Sequence, residues 1–161
     1  MLTAPQSIAL RPPLPDDEAF LFEVYSASRR DDLAGLNWPS EQVHDFLNKQ
    51  YAAQQRFFRA DYPQAHELIV LRSDERIGRL MVERSDREIR LVDLALLPSH
   101  RNAGIGTHLI KELISEAKEA GKAFRVQVMR VSQAVNLFER LGLVKVSETG
   151  SHYQMEWRAA L

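Results

Sequence analysis

Between residues 101 and 107 the chain reads Arg-Asn-Ala-Gly-Ile-Gly-Thr, an arginine and two glycines placed where an apolar strand pattern gives way to a helical one. Glycine at a helix start costs about 1 kcal/mol relative to alanine, so something should offset it. The first turn of a helix carries backbone N–H groups with no intrahelical acceptor, and the helix dipole adds positive potential there. Together they form an anion site, and glycine lets a phosphate approach the backbone closely. Arg101 adds a guanidinium that can pair with phosphate oxygens. The spacing excludes a nucleotide P-loop, which needs a lysine that is missing here. It also fails the dinucleotide fingerprint, whose third glycine would fall on Leu109. A nucleotide-binding protein and a purely structural turn remain as rival readings of this segment.

Two carboxylates could act as bases. Asp93 interrupts the apolar run "LVDLALL", eight residues before Arg101, and a carboxylate desolvated there would hold its proton more tightly. The alternative is that Asp93 points outward or pairs with Arg90 or Arg125. Glu83, at the end of a neighbouring strand pattern, is the second candidate, with a solvated strand edge as its alternative. The chain has no cysteine, which removes disulfides, thiolate metal sites and a cysteine nucleophile together. Its five histidines make no metal-ligand spacing, and no metal site is expected.

With 161 residues and 45% hydrophobic content, one domain spanning 1–161 is expected. A net charge of −1 gives no sign of a nucleic-acid surface. No apolar run approaches the length of a membrane span, and "MLTAPQSIALRPP" lacks the apolar centre of a signal peptide. Together with the lack of cysteine, this suits a reducing cytoplasm.

The elements that must position these groups follow from periodicity. Ile8 to Arg11 reads as a strand, and Pro15, Asp16 and Asp17 open a helix whose apolar face is Phe20, Leu21, Val24 and Tyr25. Ser40 is expected to cap a second helix with Val43, Phe46, Leu47, Tyr51 and Phe58 on one face. Strands at 66–71, 76–83 and 89–97 are separated by short polar turns, which implies an antiparallel meander. A helix from about Gly104 to Ala120 stops at Gly121, and a strand at 124–129 returns parallel to 89–97. Ser132 is expected to cap a helix that ends at Gly142, and "VKVSE" and "YQMEW" close the chain as strands. The fold class is therefore α/β (or α+β), a mixed sheet with helices on its faces.

Arg101-Asn102-Ala103-Gly104-Ile105-Gly106 matches the Q/R-x-x-G-x-G/A signature of the GNAT acetyltransferase superfamily, with "LALLP" before it and "NLFERLGL" after it. The chain resembles that family from Ile8 to Trp157. The resemblance implies a mostly antiparallel twisted sheet of six to seven strands, about four helices, and central strands that splay apart. It implies acetyl-CoA, or another short acyl-CoA, as cofactor. The amides from Asn102 or Ala103 through Thr107 would hold the pyrophosphate, aided by Arg101, Gly104, Ile105 and Gly106. Leu94, Ala95 and Leu96 would pair with the pantetheine arm, the Leu96 N–H would stabilise the thioester oxygen, and Ser132 and Phe138 would line the cofactor site. Trp38 and Tyr51 are candidates for the acceptor pocket.

The implied reaction is N-acetylation of a primary amine, on a small molecule or peptide, by direct attack in a ternary complex. A lysine-like amine must lose a proton at a cost of roughly 4–5 kcal/mol at neutral pH, whereas an α-amine costs only about 1 kcal/mol. The need for a base such as Asp93 thus depends on the acceptor. Many relatives carry a tyrosine that protonates the departing thiolate; here that position is Phe138, which has no proton to give. Ser132 or Tyr153 is the substitute, unless no acid is needed. Phe138 therefore also admits an inactive acyl-CoA-binding or sensor module of the same shape. Dimers are frequent in the family, and a homodimer is admitted here.

Overall fold

The computed structural model describes residues 7–159. Residues 1–6 of the segment read as unlike a signal peptide lie outside them. Among the described residues the chain forms β1 (Ile8–Arg11), α1 (Glu18–Ala34), α2 (Ser40–Asp61), β2 (Ala65–Arg72), β3 (Glu75–Arg84), β4 (Glu88–Leu96), α3 (Ile105–Ala120), β5 (Ala123–Met129), α4 (Ala134–Arg140), β6 (Val144–Glu148) and β7 (His152–Trp157). The seven strands make one sheet in the order β1-β2-β3-β4-β5-β7-β6. Every neighbouring pair is antiparallel except β4 and β5, which run parallel across the α3 crossover.

Helix starts differ from expectation in detail. Ser40 is the first residue of α2 and caps nothing; Pro39 precedes it with no side-chain hydrogen bond to the helix. A proline there fixes the extended backbone that a cap needs, so the hydroxyl is dispensable. Asp17 does not bond to the first amides of α1 either. Its carboxylate accepts from the Leu14 amide and from Arg11 and Arg76, whose nitrogens lie 2.6 and 2.9 Å away, and so ties the β1–α1 connection to β3.

Each face of the sheet buries one apolar set. Leu80 and Val82 of β3, Ile89 and Leu91 of β4, and Phe124 and Val126 of β5 face Leu109, Ile110, Leu113 and Ala117 of α3. On the other face Ile69 packs against Phe20, Leu21 and Val24 of α1. Alternation along each strand accounts for the two sets. Helix α2 buries only Leu47 fully; its aromatic residues pair at the rim, Tyr51 against Phe22 and Tyr25.

Strand β4 carries the feature that shapes the site. Met81 pairs with Asp93 and Val82 with Leu91, so Val92 is an extra residue, a β-bulge. The β4–β5 ladder runs from Glu88↔Ala123 to Leu91↔Val126 and stops there, although both strands continue. Gly78 on β3 brings the far end of β4 close: a Cβ at this position would lie 2.4 Å from the Ala95 carbonyl oxygen and 2.7 Å from Leu96 Cδ2. Gly78→Ala must therefore push β4 away from β3. Overpacking of this kind costs about 1–3 kcal/mol, and thermal unfolding of the variant should show a loss in that range, with faster amide exchange across Leu94–Leu97.

Candidate active site

The segment after β4 leaves its main-chain donors free. Gly104 adopts φ +80 and precedes α3 with no side-chain cap. The first helical bond is His108 N–H to Gly104 C=O at 2.9 Å, and the amides of Asn102 through Thr107 donate to no protein acceptor among the described residues. Unpaired donors of this kind are rare unless solvent or a ligand receives them. They border a hollow of about 590 Å³ lined by Leu94, Ala95, Leu96, Arg101, Asn102, Gly104, Gly106 and Thr107, with Ser28, Leu137 and Arg140 opposite. A Cβ at Gly106 would meet only Leu94 Cδ2, at 3.7 Å, so protein packing does not demand glycine there. The spare space faces the hollow, where a phosphate would need it. Ala103 and Ile105 do not line the hollow, and the Ile105 side chain is buried in the core. Arg101 donates from Nε to the Leu96 carbonyl at 2.9 Å, and its terminal nitrogens make no hydrogen bond among the described residues.

Beyond the last β4–β5 pair lies a second cavity of about 400 Å³. Val92, Asp93 and Leu94 form one wall, Val126 to Met129 the other, and Ser132, Leu137 and Phe138 close it. Leu94 and Gly106 line both cavities, so the hollow at the helix start and the gap between the strands are contiguous. Leu97 N–H donates to Ile77 C=O at 2.8 Å. Alternation of an antiparallel ladder then turns the amides and carbonyls of Leu94 and Leu96 away from β3, toward the unpaired side of β4. Both face away from any neighbouring strand; there the Leu96 carbonyl accepts from Arg101 Nε and the Leu94 amide donates to the Asp93 carboxylate. Leu96, however, lies at the phosphate end with Arg101, and the strand gap reaches only as far as Leu94.

Asp93 lines the strand gap. Burial pushes its carboxyl above the ordinary carboxylate value, and the positive charges of Arg79 and Arg29, with a hydrogen bond from the Leu94 amide, pull the other way. Neither arginine considered from the sequence is its partner: Arg90 pairs with Glu88, and Arg125 with Glu88 and Glu156. Arg79 is the near cation, its Nε 3.8 Å from Asp93 and 2.8 Å from Glu67. Glu83 sits apart. It pairs across β3–β4 with Arg90, in the joined part of the sheet, and accepts from the Gln64 amide at 3.3 Å. It does not line the gap.

Ser132 and Phe138 both face the gap, and Phe138 is only 5% exposed. Ser132 Oγ accepts from the Ala134 amide at 3.1 Å, which supports the start of α4 one residue earlier than a standard cap and leaves its own proton free to donate. Tyr153 is elsewhere, its ring under Lys145 Nζ at 4.4 Å, and does not line the gap. Tyr51 borders an 850 Å³ hollow between α1 and α2, together with Glu18, Gln55 and Glu67. Trp38 lies in a separate shallow hollow against Phe46. No group of acidic residues and histidines suited to a metal ion occurs among the described residues.

An anion-binding surface that opens into a gap between strands could hold an extended, phosphorylated cofactor. The family model for the acetyltransferase (GNAT) family matches residues 22–143, and the chain belongs to that family. No curated protein sequence matches it. Among solved structures it is similar to the PaiA N-acetyltransferase of Thermoplasma acidophilum in complex with coenzyme A, at 21% identity and TM-score 0.69, covering 96% of this chain and 100% of that one. A GCN5-related N-acetyltransferase from Rhodopseudomonas palustris is 23% identical with TM-score 0.64, covering 99% of this chain and 98% of the other. An acetyltransferase from Thermus thermophilus is 15% identical with TM-score 0.66, over 98% and 100% of the two chains.

Sequence reading had passed over Glu67 and Arg79. The signal was present in "RIGRLMVE", where Arg79 is a charge in the middle of an apolar strand.

If the free amides grip phosphate, charge at Gly104 should matter more than shape. Gly104→Asp and Gly104→Asn impose similar backbone strain, since both residues tolerate left-handed φ comparatively well. Titration calorimetry should find CoA binding weakened roughly tenfold more by aspartate than by asparagine. Equal affinities would place the phosphates elsewhere.

Proposed function

We propose that this protein is an acetyl-CoA-dependent N-acetyltransferase acting on a primary amine by direct attack, with both reactants bound at once. One observation supports this above the others: β4 and β5 part after Leu91↔Val126, and the gap connects the free amides before α3 to Asp93. An acyl-CoA laid along that path would place phosphates at Asn102–Thr107 and its arm against the free edge at Leu94 and Leu96, as an added strand does. The bound cofactor supplies an activated thioester, for acetyl or another short acyl group.

The chain's own groups have separate tasks in this reading. Asp93 accepts the proton that the acceptor ammonium must lose; its raised proton affinity brings it closer to the amine it serves. Holding amine and thioester side by side supplies much of the acceleration. The main-chain N–H of Leu94, rather than that of Leu96, is the proposed donor to the thioester oxygen, because Leu94 lines the gap; the thioester would take over the hydrogen bond that this amide makes to the Asp93 carboxylate. Ser132 presents a hydroxyl proton where Phe138 has none, and its bond to the Ala134 amide orients the oxygen. Tyr51 is retained as an acceptor-side residue through the hollow it shares with Glu67. Trp38 has no such connection. The chain is read as one acyltransferase domain at work in the cytoplasm.

Phe138 in the gap favours a second reading, an acyl-CoA-binding module without turnover. Thiol release from acetyl-CoA, measured over a panel of amines, separates the two. In the enzyme reading, Asp93→Asn should lower kcat/KM for lysine-like amines by about 10²-fold or more and affect α-amines much less. It should also abolish an acid limb that lies above the usual carboxylate range, since Asp93 must be ionised to act and burial opposes ionisation. Equal effects on both amine classes would remove Asp93 as the base.

A further inference from the structure

Glu67 lies on β2, two strands away from Asp93, and no catalytic step uses it. The register explains how the two are linked. Glu67 pairs with Met81, and Met81 pairs with Asp93, so the three side chains form one row across the face covered by α1 and α2. Arg79 stands one row along on the same face, paired with Ile69 and Ala95. Its side chain turns back over Met81, with Nη2 3.9 Å from the sulfur, and reaches between the two carboxylates.

Only one nitrogen of that guanidinium serves them. Nη1 donates to Gln54 Oε1 at 3.4 Å and Nη2 to Gln55 Oε1 at 3.3 Å, both from α2, and the Phe58 ring lies 5.4 Å from the guanidinium carbon. The plane is thereby fixed at 2% side-chain exposure. Nε faces both acids, at 2.8 Å from Glu67 Oε2 and 3.8 Å from Asp93 Oδ2. The nearer approach is off the N–H axis, so neither Nε nor Glu67 Oε2 has a hydrogen bond. Toward the two anions the guanidinium acts by charge without a hydrogen bond to either, and the closer one takes the larger share.

We propose that Glu67 is a positioning residue: it anchors Arg79 on the β2 side and so keeps the guanidinium from closing on Asp93. This inference rests on the reading of Asp93 as the base. With Glu67 in place, Asp93 has a cation near enough to tolerate burial but too far to form a direct hydrogen-bonded pair. Direct pairing would stabilise the carboxylate and weaken it as a base. The other charged or titratable groups facing Asp93 are few. Arg29 of α1 acts on it through space, and Tyr51 of α2, kept neutral by burial, faces the Arg79–Glu67 pair. From α3, α4 and β5 the gap presents only uncharged side chains.

Glu67→Gln tests this with two independent readouts on the full chain. The variant keeps the side chain's volume, and Arg79 retains Gln54, Gln55 and Asp93 as partners, so the fold should persist. Carbon-13 NMR of the labelled Asp93 carboxyl should show its titration midpoint falling by about one pH unit relative to wild type. The acid limb of kcat/KM with a lysine-like amine should move down by a similar amount, and kcat on its plateau should fall severalfold. Glu67→Asp, which keeps the charge, should restore most of the wild-type midpoint. An Asp93 midpoint that is the same in wild type and Glu67→Gln overturns the proposal. Failure of the base reading looks different: Asp93→Asn would then leave the pH profile intact while the NMR shift in Glu67→Gln still occurred.

Discussion

Backbone N–H and C=O groups must find partners, and the end of β4 leaves its own without a neighbouring strand. Residues Leu94 to Leu96 are paired to β3 on one side only, because the ladder with β5 ends at Leu91↔Val126. Everything at the site follows from that break. The strand gap exists because the two strands diverge, the amides before α3 open into the same space, and Asp93 sits where the divergence begins. An edge of this kind inside a sheet invites strand-like pairing, and the arm of an acyl-CoA can supply it.

The break is held open by features on both sides. The bulge at Val92 adds a residue to β4 and turns it out of register with β3. Gly78 permits the close approach that holds the far end of β4 against β3. On the other side, Phe138, Leu137 and Ser132 from the α4 region form a wedge that lines the gap where the β4–β5 pairing does not continue. The wedge is apolar where it meets the core and polar only at Ser132.

Charge on the opposite face is arranged with equal economy. Met81 lies between two carboxylates, and one buried arginine serves both. A buried guanidinium with a single anion would be a neutral pair. With two anions and two glutamines, its share for each acid is set by distance, and distance is set by the packing of α2 on the sheet. Helix α2, whose apolar face is thin, therefore acts on the site through Gln54, Gln55 and Phe58 rather than through core burial.

The elements themselves were legible in the sequence, because alternation and helical periodicity are local and Gly104, Gly121 and Gly142 mark helix ends with φ values that side chains resist. The glycine turn was legible for the same reason: its donors are free whatever the rest of the chain does. Ser40 was misplaced because a cap depends on the backbone of the preceding residue, which Pro39 fixes. Asp93, inside an apolar strand pattern, and Glu83, at a strand end, were both readable as candidate bases, and the register decides between them, one in the joined half of the sheet and the other at the break. By itself, then, the sequence determined the order of elements, the glycine turn with its free amides and the absence of a thiol nucleophile, all properties of residue type and near neighbours. The tertiary structure alone decided which carboxylate reaches the gap, that Leu94 and not Leu96 borders it, and that Glu67 and Asp93 share Arg79. Those depend on how far two strands stay paired and on which side chains a sheet brings into one row, and both are set by contacts between residues distant in the chain.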